Sequence, residues 1–249
     1  MLTTEGLTKR FGGLVAVRDA SISAAAGDIT ALIGPNGAGK TTLFATIAGF
    51  LKPDAGRVTF DGRDITGMKP HRICDLGMVR TFQIVKPFGK LSVLDNIAVG
   101  AYARFPRRQD ALTHAATIGR QVGLGEQLEK IAAGLTVAGR KRLELARALA
   151  TNPRLLLLDE VMAGLTPTEI EEIVPIIRGI RDGGVTILLI EHVMQAVMRL
   201  SDRTYVLNEG RIIAQGMPQD VVREPAVIEA YLGPGGAALA QGFAGGVAP

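Results

Sequence analysis

A single cysteine, Cys74, leaves the chain without a partner for an internal disulfide, and a small core residue is its expected role. Long apolar runs are missing too. Although 47% of the residues are hydrophobic, no stretch approaches the roughly 20 uninterrupted apolar residues that a spanning helix needs. The run Leu155 to Leu158, for example, ends in charge at Asp159. Met1-Leu2-Thr3-Thr4-Glu5 has neither the basic start nor the apolar stretch of a signal peptide, so the chain is expected to stay in the cytoplasm. No strong charge imbalance marks a polyanionic partner, because the formal net charge is only +4. The one compact basic cluster, Arg104-Phe105-Pro106-Arg107-Arg108, carries no interleaved aromatic ladder, and no nucleic acid is expected to bind.

At 249 residues the chain can build one large α/β domain, or a main domain carrying a smaller lobe. Short β-type runs alternate with long helical patterns, the order expected of a mostly parallel sheet flanked by helices. Ile29 to Ile33 reads as a buried strand ending at Gly34, with a helix from Thr41. Arg57 to Phe60 and Asp64-Ile65 flank Asp61-Gly62, a hairpin turn signal, so the sheet is expected to be mixed. From about Ser92 the β pattern fades, and Ala-rich helical stretches point to an α-helical lobe, about 92–150, inserted into the α/β domain. Leu155 to Leu158 and Val185 to Ile190 read as strands covered on both faces. Between them Thr166-Pro167-Thr168-Glu169 opens a helix with a capping box and a proline at its first position. Tyr205 to Leu207 and Arg211 to Ala214 read as a further hairpin. The uncharged Gly/Ala-rich stretch 233–249 is expected to be a disordered tail.

Chemistry concentrates in Gly34-Pro35-Asn36-Gly37-Ala38-Gly39-Lys40-Thr41-Thr42. Glycines at these spacings let successive backbone N–H groups curl around phosphates at a helix N-terminus. Lys40 would reach the β- and γ-phosphates of ATP, and the Thr41 hydroxyl would hold Mg²⁺. Asp159 ends an apolar strand, where its carboxylate suits a partner of Mg²⁺, and Glu160 could orient or deprotonate an attacking water. Taken alone the Asp-Glu pair would serve equally as a helix cap; the phosphate loop upstream favours the chemical reading. His192 follows a second buried strand and could contact the γ-phosphate, although a lone histidine is more often a satisfied surface or core residue. Gln83 could touch Mg²⁺ or water, and by itself says little.

Together these residues resemble the ATP-binding-cassette (ABC) ATPases, from about Leu2 to Leu232. The resemblance implies a P-loop NTPase core with a mixed sheet, an antiparallel β subdomain and the helical lobe. It puts Phe11, in Lys9-Arg10-Phe11-Gly12, on the adenine ring, makes Gln83 the Q-loop, Leu155 to Glu160 the Walker B strand with its catalytic glutamate, His192 the switch histidine, and Ala163-Gly164-Leu165-Thr166 the D-loop. Where the family carries Leu-Ser-Gly-Gly-Gln, this chain has Leu135-Thr136-Val137-Ala138-Gly139. Thr136 keeps a hydroxyl for a γ-phosphate, Ala138 adds a methyl where glycine is usual, and Gly139 lacks the amide. Val161 and Thr166 also depart from the usual Pro and Asp or Asn.

In the family two subunits sandwich two ATP molecules, each site joining one subunit's phosphate loop to the other's signature. The altered signature would therefore serve a partner's site, which makes unequal hydrolysis at the two sites an expectation. Leu7 to Gly13, Asp64 to Gly67, Arg80 to Phe88, Glu191-His192 and Val227 to Leu232 resemble the ATP-binding subunits of branched-chain amino acid importers. That implies a second ATPase subunit, identical or different, a membrane permease on whose cytoplasmic face the chain docks, and an external solute-binding protein. Two rivals within the resemblance are a soluble cassette ATPase and a nucleotide-gated module with weak turnover. A single cassette without coiled-coil insertions argues against the first.

Overall fold

Buried and open positions alternate along β1 (Leu2–Phe11), which covers Leu2, Thr4 and Leu7 and turns Thr3 and Glu5 outward. The computed structural model describes residues 1–81 and 86–233. After β1 the chain turns at Gly12-Gly13 into β2 (Leu14–Ala20) and continues through β3 (Ser23–Ala24), both antiparallel to β1. β4 (Ile29–Ile33) is buried at every position and feeds α1 (Lys40–Ile47). β5 (Ala55–Phe60) and β6 (Arg63–Asp64) form the expected hairpin, with Asp61 and Gly62 both at positive φ in its tight turn.

α2 (Pro70–Asp75) and β7 (Met78–Arg80) lead to three helices: α3 (Val93–Ala101), α4 (Arg108–Gln121) and α5 (Val137–Leu149). Ser92 caps α3, and buried Asn96 exchanges hydrogen bonds with Phe88, fixing where the chain enters this group. Arg104, though exposed, donates to the carbonyls of Cys74, Asp75 and Thr151, so the basic cluster has a local structural use. β8 (Leu155–Asp159), α6 (Pro167–Asp182), β9 (Thr186–Ile190) and α7 (Met194–Leu200) follow, with the Thr166–Glu169 capping box formed in full. β10 (Arg203–Asn208), β11 (Arg211–Gly216), α8 (Pro218–Val221) and α9 (Pro225–Leu232) close the described chain.

Among the described residues there are two sheets. One runs β11-β10-β4-β9-β8-β7 and is parallel except for the β10–β11 pair; the other runs β2-β1-β5-β6 with β3 on β1 and is antiparallel. The six-stranded sheet is thus mixed, but through its last hairpin. The β5–β6 hairpin joins the amino-terminal strand instead, with Leu2 opposite Phe60, because strand patterning specifies a covered face and not which neighbour covers it.

The unbroken leucines of β8 are explained by two cores. Leu156 and Leu158 pack with the helices, whereas Leu155 and Leu157 face a second cluster with Leu43, Phe44 and Phe60. This layering holds the carboxyl ends of β4, β8 and β9 rigidly side by side, where open α/β sheets place ligands. No helix among the described residues is long and apolar enough to cross a membrane.

Candidate functional site

The loop between β4 and α1 is shaped by two glycines that nothing larger could replace. Gly34 has φ +149 and a β-carbon there would overlap the Leu207 carbonyl; Gly39 has φ +103 and its β-carbon would overlap the Ala16 carbonyl. At Gly37, φ +80, the space is open. The loop is therefore pressed from behind by β2 and β10 where it enters α1. Gly210, in the β10–β11 turn, donates to Ala38 O at 2.9 Å and accepts from Arg18 N at 2.7 Å, locking turn, loop and β2 together.

These elements surround a cavity of about 880 Å³. Asn36, Gly37, Ala38, Gly39, Lys40, Thr41 and Thr42 form its floor, with Glu160 at one side. Phe11 stands at the rim, 47% exposed, with Lys9 Nζ 5.6 Å from its ring centroid. An aromatic face open beside a phosphate-sized floor suits a purine base. Lys40 Nζ donates to Gly34 O at 2.7 Å and Pro35 O at 2.9 Å. Burial lowers the Lys40 pKa, while the nearby Glu160 and Asp159 carboxylates pull it back up.

Asp159 is almost wholly buried at the end of β8. Arg80 on β7 pairs with its Oδ2 at 2.6 Å, and its backbone N–H donates to Thr81 Oγ1 at 3.1 Å. Its Oδ1 is buried with no hydrogen-bond partner among the described residues. One free buried carboxylate oxygen, together with the Thr41 hydroxyl in the cavity wall, fits Mg²⁺, which takes few protein ligands and completes its shell with water and substrate phosphate. No cluster of three or more His, Cys, Asp or Glu able to hold a metal alone exists among the described residues.

Glu160 occupies the left-handed region, φ +50. His192 lies two residues past β9, is exposed, and is not part of the cavity lining. Thr136 caps α5, its Oγ1 accepting from Gly139 N at 3.1 Å. With Ala138 and the buried Gly139 it lies outside the cavity lining. Gln83 lies outside the described residues, as does the chain after Gly233.

Several neighbours of the site had no clear sequence signal. Arg18 and the turn Asn208–Arg211 line the cavity from distant parts of the chain. The Tyr231 hydroxyl accepts from the Gly34 N–H, tying α9 to the loop. Glu191 is buried beneath the Glu160 turn, its Oε1 accepting from Met162 N at 2.9 Å, and burial pushes its carboxyl up to about 7. An acid directly after five fully buried strand residues was the one available hint.

Residues 17–163 match the family profile described as ABC transporter, and residues 211–233 match that of the branched-chain amino acid ATP-binding cassette transporter. The chain is 41% identical to the high-affinity branched-chain amino acid transport ATP-binding protein LivG of Salmonella typhimurium, over 94% of this chain and 98% of that one. It is 39% identical to the corresponding protein BraF of Pseudomonas aeruginosa, with the same coverage. A crystal structure of an ABC transporter's ATP-binding cassette in its ADP conformation superposes with a TM-score of 0.86 at 35% identity, covering 94% of this chain and 98% of that one.

Proposed function

Because this chain belongs to the ABC transporter ATP-binding proteins, binding ATP and hydrolysing it to energise transport, we propose that its cargo is a branched-chain amino acid or a closely related small solute. The observation that carries this reading is the second profile match at 211–233, the segment whose Tyr231 reaches the phosphate loop. In this reading residues 1–232 form one ABC ATPase domain, with 92–150 as its inserted lobe.

ATP would lie with its phosphates on the amides of Gly37 to Thr42 and its adenine against Phe11. Mg²⁺, held by Thr41 and Asp159, would neutralise charge on the β- and γ-phosphates. Lys40 would give up its contacts to Gly34 O and Pro35 O for phosphate oxygens, a swap its buried position favours because a desolvated ammonium gains strongly from an anion. Glu160 would accept a proton from, or orient, the water that attacks the γ-phosphorus, and His192 would approach the same phosphate on closure. Gln83, assigned through the resemblance alone, would touch Mg²⁺ or water and relay closure to the permease.

Thr136 caps α5 and Ala138 and Gly139 lie in its first turn, apart from the cavity, an arrangement suited to lending them to a second ATPase subunit. The chain would sit peripherally on the cytoplasmic face of the inner membrane, bound to a permease served by an external solute-binding protein. Affinity purification from membranes, followed by uptake assays with labelled leucine, isoleucine and valine, tests the assignment. A permease should co-purify, and uptake should disappear when Glu160→Gln replaces the native chain. Recovery without a permease, or uptake indifferent to this chain, rejects the importer reading.

A further inference from the structure

A glutamate at φ +50 is held against its preference and persists only where its surroundings over-determine it. Three contacts from separate elements converge on the Glu160 turn. Glu160 N donates to Ile190 O at 3.0 Å. Lys141 Nζ, from the second turn of α5, donates to Glu160 O at 3.0 Å. Met162 N donates to Glu191 Oε1 at 2.9 Å.

Lys141 and Glu191 are not stray surface charges: they are 9% and 1% exposed. The Glu191 side chain also accepts from the backbone N–H of His192, so one carboxyl joins the segment after β8 to the segment after β9. Its Oε2 is buried without a hydrogen-bond partner among the described residues. Lys141 attracts its charge and Glu160 repels it. Filling space alone would be better done by an apolar side chain, since a buried carboxyl beside another carboxyl is costly.

We propose that Lys141 and Glu191 are positioning residues that clamp the Glu160 turn at two points and make its geometry depend on where α5 and the His192 segment lie. The inference rests on the reading of Glu160 as the group that handles the attacking water. α5 begins at the residues this chain would lend to its partner's site, and Lys141 lies five positions beyond Thr136. A contact that shifts the start of α5 therefore reaches Glu160 through a single ammonium group. The two half-sites on one chain are mechanically joined.

The test uses the full-length chain in its co-purified assembly, with Glu191→Leu, Lys141→Met, their combination, Glu191→Gln and Glu160→Gln. Binding of a fluorescent ATP analogue, steady-state turnover, and hydrogen exchange of the peptide spanning 159–164 are measured. Glu191→Leu and Lys141→Met should each lower kcat roughly 10- to 100-fold, as expected when a reacting group is misplaced, while nucleotide affinity stays within about twofold. Both should speed exchange in that peptide. Glu191→Gln keeps the acceptor for Met162 and should retain most of the turnover, which a general loss of folding would not permit. The double variant should lose less than the product of the single losses.

Turnover within about twofold of the native chain in both single variants, with Glu160→Gln inactive, overturns the clamp. If Glu160→Gln stays active, the reading of Glu160 fails instead, and exchange alone judges the clamp: unchanged protection at 159–164 rejects it. Should Glu191→Leu not fold, Lys141→Met decides independently.

Discussion

Arg80 and Asp159, on neighbouring parallel strands, form a 2.6 Å ion pair that uses one carboxylate oxygen and leaves the other buried and open. The pair aims that second oxygen without competing for it. The same guanidinium sits 5.7 Å from the ring centroid of Phe50, a half-exposed side chain, so a contact at the surface is one residue away from the group proposed to serve Mg²⁺.

Replacing Arg80 with Ala strands a buried carboxylate. The expected loss of stability is about 3–5 kcal/mol, read by denaturant unfolding. Arg80→Lys keeps the charge and should recover part of it. Equal stability of the Ala variant and the native chain would show that the pair is not needed to hold β7 to β8.

Gly37 and Gly39 should separate cleanly in a melting experiment. Gly37→Ala meets open space and only the penalty of positive φ, about 1 kcal/mol. Gly39→Ala must also displace the Ala16 carbonyl, so it should cost more stability and abolish binding of a fluorescent ATP analogue. Similar effects from the two substitutions would contradict the packing described.

Glu191 makes stability depend on pH. Its carboxyl is raised from 4.5 to about 7 in the folded chain, so the native state keeps the proton longer than the unfolded one. The stabilisation is complete below about 4.5 and disappears as pH rises through 7. Glu191→Gln imitates the protonated form at every pH. Its advantage in unfolding free energy should grow from pH 5 to 8 toward an upper limit of about 3 kcal/mol, at 1.4 kcal/mol per pKa unit, and then level off. A pH-independent difference would refute the assignment.

Tyr231→Phe removes one acceptor from the Gly34 amide. A loss of about 1 kcal/mol in stability is expected, with a weaker grip on nucleotide detectable by titration. No change in either would reduce α9 to a packing element.

The parts of the site legible in the sequence were those whose signal is local. Gly34 to Thr42 declares itself by spacing, and Leu155 to Glu160 by an apolar run that stops at two acids. The Thr166 capping box and both hairpin turns were equally local. What escaped was long-range: Arg80 reaching Asp159 across 79 positions, the β10–β11 turn walling a cavity whose floor lies early in the chain, and the sheet that receives β5. Pairings of this kind leave no periodicity, because each partner satisfies its own strand pattern whichever neighbour it meets. Glu191 was visible as a residue, but its burial depends on packing against β8 and α5, which no local pattern encodes.

One carbonyl oxygen, that of Ala16, stands where a β-carbon on Gly39 would be and also closely backs Gly210. The nucleotide-binding loop is therefore not a transplantable cassette of nine residues. It behaves more like an arch, in which a stone belonging to the amino-terminal sheet keeps two others from closing. Engineering β2 for other purposes would rewrite affinity for ATP without changing any of the loop's own nine residues, and grafting the loop elsewhere would require carrying that one oxygen along.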